Sequence, residues 1–138
     1  MSQGRLGAYQ QVAQRAQTPA GALDEVFERT IVECGRAVGC MRIRDITGKS
    51  AALNRVVELL GELQASLDHA VAPELCAQLY RLYGRLEVQI FHANWKMDPE
   101  IVRKVAAELG AVRLAFSDAA KMGPIGRAPA AVRGVSPS

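Results

Sequence analysis

At 138 residues the chain is one domain by size, and its 22% charged and 49% apolar content is that of an ordinary globular protein. It has no apolar run of about 18 residues, which excludes a membrane-spanning helix, and residues 1–17 lack an apolar core segment, which excludes a Sec leader. The cytoplasm is therefore the expected compartment. The net charge of +3 is scattered among acids except at the two ends, which argues against nucleic acid as a partner.

Residues 1–17 contain two arginines, no acid, and a narrow stripe of Leu6, Tyr9, Val12 and Ala16. That spacing allows two or three helical turns, marginal alone in water, so the segment is either docked or frayed. It is expected to be a mobile N-terminal cap. Thr18 as N-cap and Pro19 at the first helical position then open a long helix. Leu23, Val26, Phe27, Thr30, Cys34, Ala37, Val38 and Met41 give it one apolar face. Thr47-Gly48 is expected to break it, with the next helix starting near Lys49.

In that helix Leu53, Val56, Leu60, Leu63 and Leu67 alternate three and four apart, a heptad seam that Val57 and Leu59 widen. It should stop at Asp68-His69, with His69 as a C-terminal cap. Pro73 biases Ala72 toward extended backbone. A third helix runs from Glu74 to about Asn94. Asp98-Pro99-Glu100 is a strong start for a fourth: an Asp cap, Pro at the first position and an acid in the first turn. Ile101, Val105, Leu109, Val112 and Phe116 make its face. Gly61 and Gly110, inside helices, suggest close packing. Residues 122–138 hold three Gly, three Pro and no acid, the composition of a disordered basic tail. The fold class is all-α. Four helices of about 20–25 residues joined by short connections make an antiparallel up-down-up-down four-helix bundle over residues 18–121, preceded by the cap and followed by the tail.

No pattern for catalysis is present. The chain lacks GxxxxGK, GxGxxG, HExxH and GxSxG. Its two histidines, His69 and His92, do not follow Glu at di-iron spacing. Cys34, Cys40 and Cys76 form no CxxC pair and suit small core positions. No enzymatic activity, metal or cofactor is expected.

The third helix is the informative one. Leu75, Leu79, Leu82, Tyr83, Leu86, Ile90 and Ala93 share one face. Tyr80, Val88, Phe91 and Trp95 lie opposite, with Ala77 and Gly84 among them, and Arg81, Arg85 and His92 on a seam between. One apolar face suffices to join a core. The second must be covered by another part of this chain or by a partner. A helix-in-groove partner would use such a face, and Gly84 would let its backbone come close. Ile31, Val38 and Leu59 flank the core stripes of their helices and could extend the groove.

Several short motifs, in order, resemble the flagellar secretion chaperone FliS family. They are Ala8-Tyr9-Gln10, Thr18-Pro19 with Leu23, Leu59-Leu60 with Glu62-Leu63, Ser66-Leu67-Asp68, Leu82-Tyr83, Ala93-Asn94, and Asp98 with Ile101 and Val105. The resemblance covers about residues 8–120. Departures are Gly84-Arg85 where the family often has Asp-Tyr, Phe116 at a position commonly Trp, and the basic tail. The resemblance implies a cytosolic chaperone that binds the C-terminal segment of flagellin, prevents its polymerisation and delivers it to the flagellar type III export gate. Its fold would be an antiparallel bundle with an N-terminal cap, the partner wrapping the outside. Export-gate components are implied partners, and an anti-sigma factor or other regulator of flagellin level stays open. On this reading Tyr80, Gly84, Val88, Phe91 and Trp95, with Ile31, Val38 and Leu59, form the partner surface. Leu6, Tyr9 and Val12 would plug it until flagellin arrives. The rival reading is a helical adaptor that dimerises through the same second apolar face.

Overall fold

A computed structural model describes residues 2–14 and 20–121. It is all-helical, with no strand among the described residues: α1 (Ser2–Gln14), α2 (Ala20–Arg42), α3 (Ile46–Ala65), α4 (Pro73–Lys96) and α5 (Pro99–Ala120). Thr18, Pro19 and the 122–138 tail lie outside the described residues. The four long helices close a ring of contacts, α2 on α3, α3 on α4, α4 on α5 and α5 on α2, while α1 packs mainly on α5 and touches α2 and α4.

The core follows the apolar periodicity. Every α2 position from Leu23 to Met41 named above is buried, as are Leu53, Val56, Leu60, Leu63 and Leu67, and Val102, Val105, Leu109, Val112 and Phe116 from α5. Thr30 enters this core because its hydroxyl donates to the Val26 carbonyl at 2.6 Å, which satisfies its polar atom within its own helix. Leu82 and Ile101 are only half-buried, at the edges of their faces.

The junctions correct several expectations. Thr47-Gly48 does not break a helix but lies in the first turn of α3. The break comes earlier, at Arg44, which takes left-handed backbone at φ 61°. Asp45 N–H donates to the Cys40 carbonyl at 2.9 Å and Arg44 N–H to Met41 at 3.3 Å, a Schellman closure. Asp45 then caps α3, its carboxylate accepting from Gly48 N–H at 2.9 Å. Gly48 is glycine because a Cβ there would collide with that carboxylate. The α4–α5 junction repeats the device: Met97 is left-handed at φ 57°, Asp98 N–H reaches the Ala93 carbonyl at 3.1 Å, and Asp98 caps α5 through Glu100 N–H at 3.0 Å.

The α3–α4 connection differs from expectation too. α3 ends at Ala65, and the Ser66 hydroxyl donates to Leu63 at 2.7 Å. His69 caps nothing; it is exposed and meets Tyr80 edge-on at 5.7 Å between ring centres. Ala72 is not extended but left-handed, at φ 46°. The turn is drawn tight from inside: the Cys76 thiol lies within hydrogen-bonding reach of the Asp68 and Val71 carbonyls, 3.3 and 3.2 Å away. Cys76 is therefore a loop staple as well as a small core residue. Gly61 and Gly110 are not close-packing positions, since a Cβ at either would meet nothing within 4 Å.

A left-handed residue other than glycine costs about 1 kcal/mol. Arg44→Gly should therefore raise stability by about 1 kcal/mol in urea melts. An unchanged or lower midpoint would mean that the Arg44 side chain supports the fold.

Candidate partner-binding surface

α4 has the two faces that its sequence describes. Leu75, Leu79, Tyr83, Leu86, Ile90 and Ala93 are buried. Of the opposite row, Tyr80 and Val88 are about half exposed, Phe91 is 56% exposed and Trp95 86%. Within the described chain, nothing covers these four side chains enough to bury them. Arg81 and His92 on the adjoining seam are exposed, and Arg85 forks onto Glu108 of α5 at 3.1 and 3.4 Å. The Arg85 pair straps α4 to α5 along the seam that borders the aromatic row.

The row leans toward α3. Gln64 of α3 donates from Nε2 to the Tyr80 carbonyl at 3.1 Å. The same nitrogen lies 3.4 Å from where a Gly84 Cβ would stand. A side chain at position 84 would therefore only touch Gln64, and half-buried Gly84 lies at the α3 border of the row. Half-buried Ser50, Val57 and Gly61 share the α3 face of Gln64 at helical spacing, so a shallow small-residue flank runs beside the α4 row.

Two other expected members leave the surface. Leu59 is 0% exposed and Val38 is also buried; both belong to the core. Leu59 widens the α3 seam inward, because α3 packs against two neighbours, α2 and α4, and so buries a wider arc than a two-helix seam would. Ile31 is half-buried against the core and forms no part of the α4 row.

α1 is docked, and not where a plug of the α4 row would sit. Tyr9 and Val12 are buried and Leu6 is half-buried. The Tyr9 ring meets Phe116 of α5 edge to face at 4.8 Å; Phe116 stacks on Phe27 of α2 at 5.7 Å, and Phe27 faces Tyr83 of α4 at 6.5 Å. Those residues lie at the beginning of α2 and the end of α5, so α1 covers the α2–α5 groove and the first turns of α4. The narrow stripe on α1 packs on the aromatic α2–α5 groove and not on the α4 row. Open clefts border α1: one of about 550 Å³ against the Ala72–Leu75 turn, others of about 290 and 220 Å³ along α5.

The shifted ionisable groups near these surfaces owe their shifts to one ion pair and to burial. Hydrogen bonding to Arg113 holds the Asp24 carboxyl below its usual range, so this α2–α5 pair, at 2.8 and 3.0 Å, is ionised at neutral pH. Burial pushes the Cys34 thiol up to about 12 and raises Cys76 and the Tyr83 phenol. Among the described residues no group of three or more His, Cys, Asp and Glu is placed to hold a metal ion, and no helix is long and apolar enough to cross a membrane.

What these features define is a small helical protein with a docked N-terminal helix and one uncovered aromatic helix face. A family model described as flagellar protein FliS matches residues 1–123, and the chain belongs to that family of flagellar export chaperones. A search of curated proteins gave no match.

Iodoacetamide labelling at neutral pH should modify half-buried Cys40 first, with Cys34 and Cys76 reacting only on unfolding, because a thiol must ionise to react. Rapid native labelling of Cys34, mapped by peptide mass, would contradict the packing of α2.

Proposed function

We infer that the protein is a cytoplasmic export chaperone that holds the C-terminal segment of flagellin, prevents its premature polymerisation and hands it to the flagellar type III export gate. The observation that carries this reading is the uncovered row Tyr80, Val88, Phe91 and Trp95 on a helix whose other face is fully used. An export chaperone must keep an aggregation-prone segment apart from its own kind, and a rigid scaffold with one apolar helix face does so without ATP or any cofactor. The scaffold is best read as an antiparallel up-down-up-down four-helix bundle. Supporting this, the first turn of α3 bonds the last turn of α4 through Lys49 and Asn94, and the start of α2 bonds the end of α5 through Asp24 and Arg113. Export-gate components, and a regulator of flagellin level, would read the loaded complex.

On this reading α1 is a displaceable cap over a second stretch of the partner's track. A helix of 13 residues has little stability of its own, and clefts along its margins leave its seat incompletely sealed. A partner segment of greater apolar area would replace it on the Phe27–Phe116 groove.

Isothermal titration with a flagellin C-terminal fragment tests the assignment. Phe91→Ala and Trp95→Ala should each weaken binding about thirty-fold, the effect of about 2 kcal/mol for an aromatic at an interface centre, while melting as the parent does. Light scattering should show a 1:1 complex. An obligate dimer indifferent to the fragment would instead favour an adaptor that self-associates through this face.

The cap has a separate signature. A cap closed about 90% of the time lowers apparent affinity about ten-fold. Tyr9→Ala should therefore tighten flagellin binding by up to that factor with the helical circular dichroism intact. Weaker binding would make Tyr9 a direct contact to the partner.

A further inference from the structure

The end of the molecule that carries Trp95 also carries the α2–α3 turn, and the two are joined from inside. The buried Lys49 donates from Nζ to the Asn94 carbonyl at 3.2 Å, so the first turn of α3 lies beside the last turn of α4. Ile46 opens that first turn, and Trp95 follows Asn94. Ile43, in the turn itself, is 75% exposed, and Ile46 is more than half exposed. Interleaved with them are Arg42, Arg44 and Lys96, all exposed, and among the described residues none of the three makes an ion pair. The acids at this end are engaged: Asp45 caps α3, Asp98 caps α5, and Glu100 pairs with Arg103 at 3.1 Å. The result is an apolar patch framed by three cations that make no direct ion pair within the described chain.

We propose that this end anchors the acidic terminus of an amphipathic partner helix, whose apolar stripe continues along α4 over Phe91, Val88 and Tyr80. The inference rests on the α4 row being the partner surface and adds the partner's chemistry: two or more carboxylates on the part that reaches Trp95. From Tyr80 to Trp95 the row extends about 22 Å, the length of a helix of about four turns. Charge disfavours the other occupants. Two copies of this chain meeting symmetrically here would set Arg42, Arg44 and Lys96 against their own images. Residues 122–138 contain Arg127 and Arg133 and no acid, so they offer nothing for these cations. An anionic lipid surface would satisfy the tip but leave the row along α4 uncovered, whereas a helix covers both.

Trp95 is the single tryptophan of the chain, so its emission reports this site directly. The full-length protein is titrated with a synthetic amphipathic helix of about four turns carrying glutamates at one end, and with a twin in which each glutamate is glutamine. The glutamate peptide should shift Trp95 emission to the blue and bind about ten-fold more tightly than its twin, as expected for three exposed charge pairs. That advantage should shrink with added salt and fall to about two-fold in the double variant R42Q/K96Q, which keeps Arg44. Equal affinities of the twins would overturn the proposal. A blue shift with phosphatidylglycerol vesicles but with neither peptide, or burial of Trp95 by concentration-dependent self-association, would do the same. The flagellin fragment, run in the same assay, separates the two readings. Flagellin binding that ignores R42Q/K96Q keeps the chaperone assignment and defeats the acidic anchor; peptide discrimination without flagellin binding supports the anchor and defeats the assignment.

Discussion

Phe116 is the side chain on which both the core and the cap depend. Its ring lies against Phe27 on one side and takes the edge of Tyr9 on the other, and Phe27 in turn faces Tyr83. This aromatic column joins α1, α5, α2 and α4 at one end of the molecule. Aromatic pairs contribute about 0.5–1.5 kcal/mol beyond the area they bury, so the column is a local concentration of stability. It also explains why α1, with so few apolar residues, docks at all: Tyr9 adds a ring to a stack that is already built.

The opposite end is organised by backbone rather than by rings. Two left-handed residues, Arg44 and Met97, stop α2 and α4, and in each case the next residue is an aspartate that caps the following helix. Helix stop and helix start are compressed into adjacent positions, which leaves short connections and tightly set ends. The cost is that Asp45 and Asp98 are committed to backbone amides. Their carboxylates are turned to those amides and pair directly with none of the arginines and lysine around them. The same economy of chain that makes the turns short thus leaves those cations without a direct ion pair.

The α4 row sits between these two ends. Its exposure follows from counting faces: α4 contacts α3 and α5 and points Leu86 and Ile90 inward, which uses one side of the helix only. α1, the one remaining element among the described residues, is held at the aromatic column, on the other side of α4 from Phe91. A face that is apolar in sequence and uncovered in the fold is the physical basis for reading this member of the FliS family as a holder of another chain.

Much of this was legible in the sequence alone. The apolar period placed the core stripes of all four long helices, because burial on a helix is dictated by spacing near 3.6 residues, and Asp98-Pro99 announced α5 since that cap is made by neighbours in the chain. The doubled face of α4 was legible for the same reason. What the sequence could not decide were relations between elements. Leu59 and Val38 read as flanking positions, and only the packing of neighbouring helices put them inside. Gly84 read as a gap in the row, and only the packing of α3 placed Gln64 beside it. Thr47-Gly48 read as a breaker, because nothing in the local pattern says that the Asp45 carboxylate needs the space over Gly48. Tyr9 read as a plug, and tertiary structure alone chose its groove, by bringing Phe27 and Phe116 together from positions far apart in the chain.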